Sequence, residues 1–68
     1  IIDMTFSEKV KAVRNQLQIT QEELAHKLGV SFATVNRWES GSYKPSKMGQ
    51  RVFEEFIEEN KIDLGENV

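Results

Sequence analysis

Enzymes build reaction centres from a short menu of side chains, and this sequence holds little of it. Cysteine is absent and His26 is the single imidazole, so neither a disulfide framework nor the three or four nitrogen and sulfur ligands of a zinc site can be assembled. No nucleophile is matched to a base, and no glycine-rich phosphate loop or metal-ligand cluster occurs. The chain is therefore expected to be no enzyme, with no catalytic residue, no metal and no cofactor. What is left is hydrogen-bonding chemistry. Between Ser31 and Lys44 the sequence gathers hydroxyls, the carboxamide of Asn36 and the donor fork of Arg37, groups suited to reading another molecule's hydrogen-bonding edge.

Such groups act only on a scaffold that holds them, and helix start and stop signals recur along the chain. Thr5 to Glu8 fits a capping box, in which the hydroxyl accepts from the N3 amide and the N3 carboxylate reaches back to the N-cap amide. Phe6, Val10, Val13 and Leu17 follow at spacings of four, three and four, predicting an amphipathic helix over about 6–17. Thr20-Gln21-Glu22-Glu23 repeats the box, with Ile19 and Leu24 placed for a hydrophobic staple and Gly29 as the stop of a helix over about 21–28. Ser31 caps a third helix over about 32–40, with Val35 and Trp38 facing inward and Gly41 ending it.

Gly41 and Pro45 bracket a loop, because proline biases Lys44 away from helical geometry. Ser46 then caps a fourth helix, in which Met48, Val52, Phe53, Phe56 and Ile57 repeat with helical period up to about Asn60. Residues 61–68 form a tail whose Ile62 and Leu64 either dock loosely or fray. The fold class expected is all-α. Sixty-eight residues allow one small domain, and no apolar stretch approaches the roughly 18 residues of a membrane span.

Charge is unevenly spread. The net charge of -2 at face value argues against a polyanionic partner. Residues 1–51, however, carry eight basic against five acidic side chains, or +3, while residues 52–68 carry six acidic against Lys61 alone, or -5. The acid belongs to one end, with Glu54, Glu55, Glu58 and Glu59 expected on a solvated helix face. The start, Ile1-Ile2-Asp3, lacks an initiator methionine and the ordered regions of a signal peptide, so the chain reads as a cytosolic protein or an excised domain of one.

Two short helices joined by a turn around Gly29, the second capped and rich in exposed polar groups, make the arrangement of a helix-turn-helix. Ala25 is small where the helices must cross closely, and Leu24, Leu28, Val30, Val35 and Trp38 fill the inner faces. The run Ile19-Thr20-Gln21-Glu22-Glu23-Leu24-Ala25-His26-Lys27-Leu28-Gly29-Val30-Ser31, followed by Thr34-Val35, Arg37-Trp38-Glu39, Gly41 and Pro45, resembles the Cro/repressor-type (XRE-like) helix-turn-helix family of DNA-binding proteins. The likeness extends over about residues 10–46. It implies a small four-helix bundle of the lambda-repressor-like type, to which family members commonly add a fifth helix. Residues 1–60 would be the DNA-binding domain and 61–68 its tail.

The resemblance further implies that 31–40 is a recognition helix laid in the major groove of double-stranded DNA. With Val35 and Trp38 inward, Phe32, Ala33, Asn36 and Arg37 lie on or beside the opposite face and are the candidates for reading bases. Arg37 matches guanine O6 and N7, and Asn36 matches adenine N6 and N7. Phe32 and Ala33 are left with apolar contact to thymine methyl groups, although Phe32 could equally cover the neighbouring loop. In the family pattern the residue matching Gln21 bonds a backbone phosphate, and Ser31, Ser42, Tyr43 and Lys44 are further phosphate candidates. The same pattern pairs Arg14 with Glu39 as a structural ion pair. His26 is a solvent-facing residue with no role assigned.

The resemblance implies a transcriptional regulator, or the DNA-targeting domain of a larger protein, in a bacterial or phage-type cytoplasm on nucleoid DNA. A competing reading keeps the helix-turn-helix as scaffold and makes the acidic fourth helix or tail the interface of a protein-interaction module, as in an antitoxin-like partner binder. Two routes to a homodimer stay open: a small contact through Ile62 and Leu64, or a segment or fused domain outside this chain.

Overall fold

The computed structural model describes residues 4–41 and 44–64 and contains four α-helices: α1 (Phe6–Leu17), α2 (Gln21–Leu28), α3 (Phe32–Ser40) and α4 (Lys47–Glu59). The fold is all-α. Each helix begins on a hydroxyl cap: Thr5 and Thr20 both close reciprocal capping boxes, with Glu8 and Glu23, and Ser31 and Ser46 accept from the amides of Thr34 and Gly49. Each cap satisfies an amide that the helix itself leaves without a partner, a gain of about 1 kcal/mol per cap.

Three helix ends share one device. Gln18, Gly29 and Lys61 adopt left-handed backbone, with φ of 55°, 77° and 52°. The amide of the next residue then reaches back to a carbonyl in the last turn: Ile19 to Arg14, Val30 to Ala25 and Ile62 to Ile57, at 3.1, 3.0 and 3.0 Å. This is the Schellman arrangement, in which the residue after the left-handed one is apolar and folds back onto the core. Ile19, Val30 and Ile62 all do so. Only Gly29 advertises the device in sequence. At Gln18 and Lys61 a side chain tolerates the strained region because burial of the following isoleucine compensates for it.

Residues 61–64, the described part of the tail, accordingly dock. Ile62 and Leu64 pack against the core cluster, and Gln16 Nε2 donates to the Asp63 carbonyl. The core itself is Val10, Val13, Leu24, Ala25, Val35, Trp38 and Phe53, so every helix contributes to it. α3 lies between α1 and α2, and α4 closes over α2 and Trp38. Phe6, Trp38 and Phe53 meet edge to face, with centroids 5.2 to 6.3 Å apart, the geometry that ring quadrupoles favour.

The first turn of α4 departs from the expected stripe. Met48 is 76% exposed. At 100° per residue it lies about 140° around the helix from the buried Phe53, while Gly49 lies within about 40° of it. It is Gly49 that faces inward, and a Cβ built there would sit 3.0 Å from Trp38 Cζ2. The missing side chain lets α4 cross the indole closely. Replacing Gly49 with alanine raises helix propensity by about 1 kcal/mol but presses a methyl into a ring held in the core, at about 1 to 3 kcal/mol. Gly49→Ala is expected to lose about 1 kcal/mol net and to lower the thermal midpoint by about 5 °C. Circular dichroism melting checks this, and a raised midpoint would show that the indole gives way.

Candidate nucleic-acid interface

α3 divides its side chains sharply. Val35, Trp38 and Glu39 are buried at 0, 3 and 6% exposure, whereas Phe32, Ala33, Asn36 and Arg37 are exposed. Trp38 is a core residue. Phe32, the first residue of the helix, is half exposed. Ser31 caps the helix through Oγ, which lies 2.9 Å from Thr34 Oγ1 as well as accepting from the Thr34 amide. Lys44 is exposed, and Ser42 and Tyr43 lie outside the described residues.

Glu39 is the acidic side chain that this helix turns inward. Arg14, from α1, meets it with two parallel bonds: Nε to Oε2 at 2.7 Å and Nη2 to Oε1 at 2.9 Å. Nη1 of the same arginine reaches the Ile19 carbonyl at 3.5 Å, and Ser7 Oγ donates to the Glu39 backbone carbonyl at 2.9 Å. Burial pushes the Glu39 carboxyl up. Hydrogen bonds from Arg14 and Gln21, with the charges of Arg14 and Lys11, outweigh that and hold its pKa below the ordinary value. The bond to Glu39 correspondingly raises Arg14, against the opposing effect of burial.

Gln21 opens α2 and links it to the exposed face of α3. Its Oε1 accepts from Asn36 Nδ2 at 3.2 Å. The structure thus joins Arg14 to Glu39 inside the fold and Gln21 to Asn36 on the outer side of α3. The Gln21 to Asn36 link, between residues fifteen apart, has no sequence spacing to announce it. The one available hint is that two carboxamides occupy the first position of one helix and the outer face of the next.

On α4, Glu54, Glu55, Glu58 and Glu59 are exposed. Among the described residues no group of three or more His, Cys, Asp or Glu side chains could hold a metal, and no helix is long and apolar enough to cross a membrane. His26 is exposed on α2.

Comparison with known proteins fits this geometry. The Helix-turn-helix family model matches residues 10–48. The HTH-type transcriptional activator BcrR of Enterococcus faecalis is 36% identical over 54 residues, covering 79% of this chain and 26% of that protein. The chain spans about a quarter of the length of this curated relative. No solved structure matches it.

The depressed pKa of Glu39 fixes a sign. Its contribution to stability is fully present above the ordinary value of 4.5 and is lost as pH falls through the lower folded-state value. Removing Arg14 strands a buried carboxylate. That costs about 3 to 5 kcal/mol for a fully buried pair, reduced here to about 2 to 4 kcal/mol because solvent reaches the arginine. Arg14→Ala is expected to lower the thermal midpoint at pH 7 by about 10 °C or more. It should also weaken the loss of stability below pH 4.5. An unchanged midpoint at pH 7 would overturn the structural role.

Proposed function

From the premise that this chain belongs to the helix-turn-helix family of the Cro/repressor (XRE) type, we propose that it binds double-stranded DNA sequence-specifically, as the DNA-targeting domain of a transcriptional regulator. In this reading α3 is the recognition helix and enters the major groove. The observation that carries it is the division of α3, with a capped helix anchored by Val35, Trp38 and Glu39 while Phe32, Ala33, Asn36 and Arg37 are exposed together.

The base contacts follow from side-chain chemistry. Arg37 takes guanine O6 and N7, Asn36 takes adenine, and Phe32 and Ala33 touch thymine methyl groups. Gln21, at the positive end of α2, takes a backbone phosphate, joined by Ser31 and Lys44 and by Ser42 and Tyr43 of the loop. The acid of α4 does not oppose this, since Glu54, Glu55, Glu58 and Glu59 belong to a different helix from the reading face. The bacterial cytoplasm, on nucleoid DNA, is the setting this reading requires. A second copy, or a domain outside this chain, would supply the contacts for a second half-site.

Selection of duplexes from a random pool tests the reading. Binding should weaken by about 0.9 log units per neutralised phosphate for each tenfold rise in salt. Arg37→Ala should cost about 1 to 3 kcal/mol on the preferred site and relax preference at one position. Uniform weakening over all sequences would instead make Arg37 a phosphate contact. No binding by micromolar protein at about 50 mM salt would replace the DNA reading with the protein-interaction module built on acidic α4.

A further inference from the structure

We propose that Phe32 reads the C5 methyl of a pyrimidine and ignores the rest of that base's edge, so that 5-methylcytosine replaces thymine at the base pair it meets and methylating a cytosine there strengthens binding. The proposal rests on α3 lying in the major groove. Its ground is what the first turn of α3 exposes and what the helix withholds.

Phe32 is 50% exposed, and Ala33 beside it is exposed too. A ring left half in water forgoes part of its burial energy, so this placement contributes little to folding. The hydroxyls of the same turn serve the cap: Ser31 Oγ accepts from the Thr34 amide at 3.1 Å and lies 2.9 Å from Thr34 Oγ1. One O–H of the pair closes that contact, and the other is left for the phosphate assigned to Ser31. Glu39 is the sole carboxylate of α3 and is buried against Arg14. The exposed face of α3 therefore has no carboxylate to accept from cytosine N4, the contact that selects an unmethylated cytosine.

Thymine shows the major groove an O4 acceptor and a C5 methyl, whereas 5-methylcytosine shows the same methyl beside an N4 donor. The Phe32 side chain carries no hydrogen-bonding group, so exchanging O4 for N4 costs it no bond while the methyl fills the same contact. Ordinary cytosine presents only hydrogen at C5 and leaves the ring against water. Asn36 follows Phe32, and Arg37 follows Ala33, by four residues, a rise of about 6 Å or about two base-pair steps. The methyl is therefore expected within about two base pairs of the guanine assigned to Arg37.

Duplex selection on the full chain, with wild type and Phe32→Ala, first locates the position whose pyrimidine preference depends on Phe32. Four duplexes that differ only there, carrying T·A, U·A, C·G and 5-methylcytosine·G, are then titrated with wild type, Phe32→Ala and Phe32→Leu, with a thermal melt of each. Within each couple, T against U or methylated against plain cytosine, one methyl changes while the purine partner stays constant. Wild type is expected to bind T·A about fourfold more tightly than U·A, and 5-methylcytosine·G about fourfold more tightly than C·G, as burial of one methyl predicts. Phe32→Ala should bring both ratios to about 1.5-fold or less, and Phe32→Leu, still apolar, should keep them at about threefold.

Preference for T·A over U·A with no gain from methylating cytosine overturns the proposal, since the O4 edge would then be read along with the methyl. Wild-type ratios near one in both couples overturn it as well, as do ratios that Phe32→Ala leaves unchanged. Should Phe32→Ala fail to fold, Phe32→Gln takes its place with the same expectation. A wild type that selects a site at which no position depends on Phe32 removes Phe32 alone. A wild type that selects nothing removes the underlying DNA reading, and the two failures are distinguishable.

Discussion

Glu39 places an ionised carboxylate at 6% exposure inside a domain with a very small core. An uncompensated charge there would cost several kcal/mol, a large share of what a chain this short can spare. Arg14 compensates it with paired bonds, and the geometry of those bonds requires α1 and α3 to hold one spacing and one register. Ser7 adds a further tie from α1 to the end of α3. The pair orients as much as it stabilises, since apolar surfaces tolerate sliding and a two-pronged charge contact does not. Everything exposed on α3 inherits its placement from this lock.

Around the lock, the chain conserves length by making its helix ends double as packing. Ile19, Val30 and Ile62 each follow a left-handed residue and return to the core, so connections of a few residues also contribute buried apolar surface. Such economy suits a chain in which a long loop would consume residues without covering the interior. The edge-to-face contacts of Phe6, Trp38 and Phe53 join α1, α3 and α4, and Gly49 is what brings α4 within reach of the indole.

Charge is unevenly spread along the chain. The net charge of -2 hides a chain that is neutral over residues 1–40, basic at Lys44, Lys47 and Arg51, and acidic from Glu54 onward. Electrostatic attraction to a polyanion depends on the charge of the facing surface, because solvent and salt screen charges beyond roughly 10 Å. An acidic helix elsewhere on the domain therefore weakens long-range attraction without opposing close contact.

The helices were legible because their signals are local: a hydroxyl three residues before a glutamate, apolar spacings of three and four, a glycine after the last turn. Those interactions span at most a few residues, so composition and order determined the all-α class, the helix limits and the inward faces of α1 to α3. The helix-turn-helix resemblance was legible for the same reason, being carried by an ordered run around Gly29. Tertiary structure decided the rest. Met48 shares the apolar character of its helix yet faces solvent, because the crossing over Trp38 falls at Gly49. Lys61 carries no stop signal, and only the core waiting for Ile62 and Leu64 turns the chain there. Gln21 and Asn36 appeared as separate contact residues, and only the packing of α2 on α3 joins them to each other. A hydrogen bond between distant residues depends on distance and direction in space, and neither is encoded in spacing along the chain.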